Sequence, residues 1–82
     1  MQIIFSEEFI QDFKKIKDQQ LRLRVIKQIK KLEIIPEAGK PLRYSLKNHR
    51  SLRVPPFRLI YRIEDDKIII NCFEHRKDVY GD

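Results

Sequence analysis

The spacing of apolar residues along this chain changes twice, and each change marks a different kind of element. The opening MQIIF is short and apolar, as expected for a strand. Between residues 6 and 35 apolar residues recur every three or four positions, which is the period of an amphipathic helix. From residue 51 onward they alternate with polar residues or form one short run, as in a sheet.

The helical segment divides into two helices. Ser6 stands before two glutamates, and a serine followed by acidic residues is a typical helix start. Phe9 and Phe13 then follow at helical spacing. Asp18 predicts the start of a second helix, which ends before Pro36 because helices rarely run up to a proline. Since the two helices are nearly contiguous, they should form an antiparallel helical hairpin.

Three further strands are predicted after a loop-like segment at 37–48: SLRV, FRLIYRI and KIIINCF. Alternation in FRLIYRI places Leu59 and Tyr61 on one face and Arg58 and Arg62 on the other. The unbroken apolar run at 68–70 predicts a central strand covered on both faces. The order β-α-α-β-β-β predicts an α+β fold with the helical hairpin packed on a small antiparallel β-sheet. The N-terminal strand should join the sheet beside one of the last three strands.

Length and composition limit what the chain can be. Its 82 residues, 41% of them apolar, predict a single domain over residues 1–82 with one modest core. No apolar run is long enough to cross a membrane, and the N-terminus does not resemble a signal peptide, so we expect a cytoplasmic protein. Cys72 is the only cysteine, which excludes an internal disulfide. We predict a buried thiol there, and no metal or cofactor.

The net charge of +6 is unevenly distributed. Residues 40–62 contain seven lysines and arginines and no acidic residue, and residues 14–31 contain eight more against one aspartate. This asymmetry indicates a polyanionic partner, either nucleic acid or an acidic protein segment. The alternative is a solvated basic surface without chemistry.

Several arginines should meet on one face of the sheet. Antiparallel pairing of the two arginine-bearing strands can bring Arg53 or Ser51 near Arg58, and Arg62 shares the Arg58 face. Guanidinium groups bind phosphate through paired hydrogen bonds, so this face predicts a phosphodiester site. A basic face that only keeps the protein soluble or docks an acidic peptide is the alternative.

The C-terminal segment EHRKDVY extends this surface. His75 and Arg76 should emerge at its edge as the last strand ends, and Tyr80 can reach back over it. A histidine, an arginine and a tyrosine are residue types that transfer protons, bind phosphate and stack on bases.

Taken together, four motifs resemble the RelE/ParE toxin superfamily of type II toxin–antitoxin systems: GKPL at 39–42, HRSLRV at 49–54, FRLIY at 57–61 and EHRKDVY at 74–80. The resemblance extends over nearly the whole chain. It implies the fold already predicted. For the RelE branch it also implies a metal-independent endoribonuclease that cuts mRNA in the ribosomal A site, by attack of a 2′-hydroxyl on the adjacent phosphate.

The resemblance assigns roles to individual positions. Arg58 matches the strand arginine that stabilises charge on the phosphate, Arg76 matches the C-terminal arginine, and Tyr80 matches the tyrosine that orients the nucleotide. Two lysines of well-known RelE enzymes correspond here to Ser51 and Arg53, which is a departure from the family pattern.

This departure affects the choice of proton acceptor. A guanidinium stays protonated at neutral pH, so Arg53 can stabilise charge but not accept the 2′-hydroxyl proton. His75 is the predicted proton acceptor, with Lys47 as a further candidate if its loop folds over the site. The predicted catalytic residues are Arg53, Arg58, His75, Arg76 and Tyr80. The predicted RNA contacts are Lys40, Arg43, Lys47, Arg50 and Arg62.

The same resemblance leaves two other functions open. ParE-branch members inhibit DNA gyrase by binding and are not nucleases, and an inactive member would only bind its antitoxin. The implied partners are an acidic antitoxin like RelB, the ribosome and its mRNA. The basic residues at 14–31 are predicted to dock on the ribosome, with binding that weakens as salt rises.

Overall fold

A computed structural model describes residues 1–42 and 48–75 of the chain. The elements are β1 (Gln2–Phe5), α1 (Glu7–Lys14), α2 (Gln19–Ile34), β2 (Lys40–Pro41), β3 (His49–Val54), β4 (Phe57–Glu64) and β5 (Lys67–His75). They form one five-stranded sheet in the order β1-β5-β4-β3-β2. The predicted α+β fold, with a helical hairpin packed on the sheet, is confirmed.

Two features of the sheet differ from the prediction. The edge strand β1 pairs with β5 in parallel, so the sheet is antiparallel everywhere except at that edge. Parallel neighbours need a crossover connection, and the helical hairpin with the following strands provides one. The two-residue strand β2, which pairs with β3, lies in the segment predicted as a loop.

The helix starts follow the local sequence signals. The Ser6 hydroxyl accepts a hydrogen bond from the Phe9 N–H at 3.1 Å, and the Asp18 carboxylate accepts one from the Gln20 N–H at 2.9 Å. Both predicted N-caps are therefore confirmed. The guanidinium of Arg22 on α2 lies 5.0 Å from the centre of the Phe13 ring on α1, which adds a cation–π contact between the helices.

The core lies between the helical hairpin and one face of the sheet. Its most deeply buried side chains are Val25, Leu32, Val54, Leu59, Tyr61, Ile68 and Ile70. Leu59 and Tyr61 thus face the helices as predicted, and alternation turns Arg58 to the other face. On that other face Ile60 is only 4% exposed, whereas Ile69 is half-buried. At β5, the sheet face opposite the helices is therefore covered less completely than the apolar run at 68–70 predicted.

The loop between α2 and β2 is fastened to the sheet by a buried tyrosine. The Tyr61 hydroxyl donates to the Pro36 carbonyl at 2.7 Å and accepts from the Gly39 N–H at 2.9 Å. Burial raises the pKa of the Tyr61 hydroxyl, which keeps the donated proton in place. Arg50 adds a hydrogen bond from its guanidinium to the Gly39 carbonyl at 2.8 Å. These contacts fix the backbone that leads directly into Lys40.

The β3–β4 hairpin turns at Pro55-Pro56, whose peptide bond is cis. The prediction that these prolines mark a strand end is confirmed, since Val54 pairs with Phe57 across the turn. Among the described residues, no helix is long and apolar enough to cross a membrane.

Candidate functional site

The β3–β4 hairpin places two arginines side by side. Arg53 is the direct partner of Arg58 in the antiparallel register. Both lie on the sheet face opposite the core residue Leu59, because side chains alternate along each strand. On the same face, Ser51 pairs with Lys40 of the edge strand β2. Strand pairing alone therefore brings three cations and a hydroxyl to one part of the sheet.

These residues, together with residues of α2, line a groove with a volume of about 330 Å³. We call it the cationic groove. Its lining residues are Gln28, Lys31, Ala38, Lys40, Ser51, Leu52, Arg53 and Arg58. Four of them are lysines or arginines, each from a different element, and none of these eight residues is acidic.

The electrostatics of the cationic groove suit a phosphate. Arg53 is exposed, whereas Arg58 is half-buried with its Nε enclosed by protein. A charge in a partly desolvated site acts more strongly on a bound anion than the same charge in water. Ser51, only 6% exposed, contributes a hydroxyl to the lining. The arrangement can bind a phosphodiester and stabilise extra negative charge on it.

His75 occupies a different position from the one its motif suggested. It pairs with Phe57 in the β4–β5 register, and its ring lies edge-on to the Phe57 ring at 5.3 Å between centroids. The partner of Arg58 on β5 is Glu74. Because neighbours on a strand point to opposite faces, His75 lies on the helix side and Arg58 on the other. The structure does not bring these two side chains together on one face.

Two of the predicted RNA contacts make structural interactions. Arg50 is bonded to the carbonyls of the loop that precedes Lys40. Arg62 donates from Nε to Glu64 at 2.9 Å and from Nη1 to Asn71 at 2.7 Å. Of the predicted contacts, Lys40 lies in the cationic groove. The predicted residues Arg43, Lys47, Arg76 and Tyr80 lie outside the described part of the chain.

Sequence reasoning missed the helical wall of the groove. It treated the α2 cations as one docking surface, yet Lys31 and Gln28 line the cationic groove together with the sheet arginines. A helical projection contains the signal for this. Position 28 lies one turn from the buried Val25 and Leu32, and position 31 lies one turn from position 28, so both lie at the border of the stripe that packs on the sheet.

One set of possible metal ligands occurs elsewhere among the described residues, beside β5. Ligand atoms of Glu8, Cys72 and Glu74 all lie within 4.8 Å of one another. The Cys72 thiol donates to Glu74 at 3.3 Å, and Cys72 is buried as predicted. Burial, with the bond to Glu74, raises the pKa of the thiol. The protonated thiol therefore donates its hydrogen to the Glu74 carboxylate.

A helical hairpin packed on a sheet, with basic residues gathered at the sheet's edge, defines a small RelE/ParE-like protein. Residues 3–80 match the family model described as the ParE toxin of the type II toxin–antitoxin system parDE. The chain therefore belongs to the ParE toxin family of type II toxin–antitoxin systems. No curated protein sequence matches it.

Solved structures of similar proteins share this fold. The toxin–antitoxin complex RelBE2 from Mycobacterium tuberculosis is 29% identical, with 92% of this chain and 96% of that chain aligned at a TM-score of 0.78. A YoeB/ParE toxin from Agrobacterium tumefaciens is 17% identical over 92% of this chain and 98% of that chain, at a TM-score of 0.82. The RelB–RelE antitoxin–toxin complex from Methanococcus jannaschii is 22% identical over 94% of both chains, at 0.76. The last two likenesses establish the shared fold.

Proposed function

We propose that this toxin is an endoribonuclease that cleaves mRNA on the ribosome, in the cytoplasm, and so inhibits translation. In the reaction, a 2′-hydroxyl loses its proton and attacks the adjacent phosphorus. The bond from phosphorus to the 5′ oxygen breaks, the leaving oxygen takes up a proton, and a 2′,3′-cyclic phosphate remains. The observation that carries this proposal is the cationic groove, where Arg53 and Arg58 lie opposite one another.

Each groove residue has a defined role in this reaction. Arg58 stabilises the charge that grows on the phosphorane, because its half-buried guanidinium is held in place before the substrate arrives. Arg53, exposed beside it, binds the same phosphate and orients it. Lys40 and Lys31 bind the flanking backbone as point charges. Arg62 remains a proposed RNA contact, on the sheet face opposite the helices.

Three further roles rest on the sequence motifs. We propose that Arg76 acts as phosphate ligand or donates the proton to the leaving 5′ oxygen, and that Tyr80 orients the nucleotide by stacking. Arg43 and Lys47, which precede β3 in the sequence, are proposed to contact the RNA backbone. For Arg50 we favour the role of holding the 37–39 loop, given its bonds to that loop's carbonyls.

His75 is the proposed proton acceptor, and its replacement is an informative test. The imidazole has to reach around the end of β5, because the strand turns it to the helix side. If it accepts the proton, His75→Ala lowers single-turnover cleavage of ribosome-bound mRNA by about 100-fold, within the range for general acid–base catalysis. The matched control is His49→Ala, which removes the other histidine. Near-normal cleavage by His75→Ala rules out this role.

Inhibition of DNA gyrase is the second candidate function, favoured by the description of the matching family model as a ParE toxin. An inactive member that only binds its antitoxin is the third. Expression in cells separates them. A ribosome-dependent nuclease halts protein synthesis and leaves mRNA cut at codons, whereas a gyrase inhibitor blocks replication and induces DNA damage. An inactive member does neither.

We also propose that an acidic antitoxin segment binds the helical hairpin. An apolar cavity of about 340 Å³ is lined by Phe5, Phe9, Ile10, Phe13, Lys14, Ile26 and Ile29. Ile10 and Ile26 are about two-fifths exposed at this cavity. An amphipathic antitoxin segment can cover these apolar residues while an acidic side chain meets Lys14, which lines the same cavity. The solved M. tuberculosis and M. jannaschii relatives are toxin–antitoxin complexes, which supports this partner.

Ile10→Asp tests the antitoxin surface. The charge stays in water in the free toxin because Ile10 is 41% exposed, but antitoxin binding would bury it. We expect affinity for the antitoxin encoded beside the gene to fall by about 10-fold or more, measured by calorimetry. Leu23→Asp is the matched control, since Leu23 is exposed on α2 and does not line the cavity. Equal affinities of the two variants would exclude this docking surface.

A further inference from the structure

The cationic groove has two chemically different sides. Its sheet side carries the cations Lys40, Arg53 and Arg58 with the Ser51 hydroxyl. Its helix side carries Gln28 and Lys31, one turn apart on α2, with apolar contact from Ala38 and Leu52. A phosphate alone needs only the sheet side. The carboxamide and the apolar surface suit a group that is flat, polar at its edge and attached to the phosphate.

We infer that Gln28 is a specificity-determining residue that reads the nucleobase next to the phosphate bound by Arg58. This inference rests on the proposed function, because it uses the same groove. Gln28 is half-buried and lines the groove. A primary amide offers a carbonyl acceptor and two N–H donors on one end.

The chemistry of the amide selects among bases. Glutamine pairs in a bidentate manner with the N6 and N7 positions of adenine, accepting from one and donating to the other. The methyl and isobutyl groups of Ala38 and Leu52 contact the base. Lys31, three residues further along the helix, neutralises the phosphate of the nucleotide whose base Gln28 reads. The groove therefore favours adenine over a pyrimidine at this position.

The size of the groove suits one nucleotide of a single strand. A volume of about 330 Å³ is at the lower end of the range for small-ligand sites. It is large enough for about one nucleotide. Recognition of a base edge in RNA generally uses unpaired bases that can leave the stack. The groove thus takes an unpaired nucleotide from a single-stranded segment.

Binding of short oligonucleotides tests the role of Gln28 without cleavage. Fluorescein-labelled tetramers of deoxyadenylate and thymidylate lack the 2′-hydroxyl and so cannot be cut, and fluorescence anisotropy gives their dissociation constants. We expect the wild-type protein to bind the adenylate tetramer roughly 5- to 100-fold more tightly, the discrimination of one bidentate contact. Gln28→Ala should bring this ratio close to one while leaving the affinity for thymidylate nearly unchanged.

Matched controls lie on the same helix. Gln20→Ala removes an exposed glutamine outside the groove and should keep the wild-type ratio. Lys31→Ala should weaken both tetramers equally, whereas Lys30→Ala, exposed and outside the groove lining, should weaken them less. A merely structural role for Gln28 would lower both affinities together and leave their ratio intact.

The outcomes separate this inference from the proposed reaction. A wild-type ratio near one, no binding of either tetramer, or an unchanged ratio in Gln28→Ala overturns the inference. Base-selective binding by a protein that leaves ribosome-bound mRNA intact overturns the proposed reaction and keeps the inference. If the protein cleaves ribosome-bound mRNA but its ratio of adenylate to thymidylate affinity does not depend on Gln28, the proposed reaction stands and the inference is overturned.

Discussion

Replacing Arg58 with alanine is expected to lower single-turnover cleavage of ribosome-bound mRNA by about 100-fold or more, the usual cost of removing one preorganised charge stabiliser. Arg58 is half-buried in the cationic groove, with its Nε enclosed by protein. Its charge therefore acts on the phosphate through less water than an exposed arginine does. Arg58→Lys keeps the charge but loses the planar fork, and should recover only part of the activity.

The matched control is Lys67→Ala, which removes an exposed cation of β5 outside the groove lining and outside the basic residues at 14–31. It loses one positive charge, as Arg58→Ala does, but it leaves the groove lining intact. It should therefore cleave within a few-fold of the wild type. Antitoxin affinity and the urea unfolding midpoint, measured for both variants, separate a catalytic effect from a folding defect. Cleavage by a folded Arg58→Ala variant within threefold of the control contradicts the role given to Arg58.

Gly39→Ala is expected to destabilise the fold by about 1–3 kcal/mol, as overpacking of a buried position generally does. A Cβ atom at Gly39 would lie 2.7 Å from Cε1 of Tyr61, 2.8 Å from the Tyr61 hydroxyl and 2.8 Å from the Ser51 carbonyl oxygen. The carbonyl belongs to β3 and cannot move without disturbing the sheet. Relief therefore requires Tyr61 to shift, which weakens its hydrogen bonds to Pro36 and to Gly39.

Urea unfolding followed by circular dichroism measures this effect. Glu37→Ala is the matched control, because it alters an exposed side chain of the same loop and should leave the unfolding midpoint nearly unchanged. Tyr61→Phe removes the hydroxyl that meets the new Cβ, so Gly39→Ala should cost less in that background. Equal unfolding midpoints for Gly39→Ala and Glu37→Ala would show that the loop is not fastened as described.

Local sequence signals were sufficient for most of the elements. Ser6 and Asp18 marked the helix starts because each side chain caps the helix within three residues. Alternation in β4 was sufficient to separate Leu59 and Tyr61 from Arg58, because one face of the sheet is buried under the helices. The sequence left Arg53 and Ser51 as alternative neighbours of Arg58, and the short turn at Pro55-Pro56 selects Arg53 because it sets the hairpin register.

Features that depend on distant pairing were not predictable in the same way. The parallel placement of β1 beside β5 joins residues more than sixty positions apart, and no local pattern encodes it. His75 belongs to a motif that suggested one cluster of functional side chains. Its face is set by the pairing of β5 with β4, which puts Glu74 across from Arg58. The groove wall formed by Gln28 and Lys31 likewise depends on how α2 lies over the edge of β3.

The most direct test of the central claim is primer extension on mRNA incubated with the purified wild-type protein, with and without translating ribosomes. The same preparation is tested for inhibition of DNA supercoiling by gyrase. A ribosome-dependent nuclease produces cuts within codons only when ribosomes are present, and it leaves gyrase activity unchanged. Intact mRNA together with inhibited gyrase contradicts the proposed reaction and assigns the chain the gyrase-inhibiting function instead.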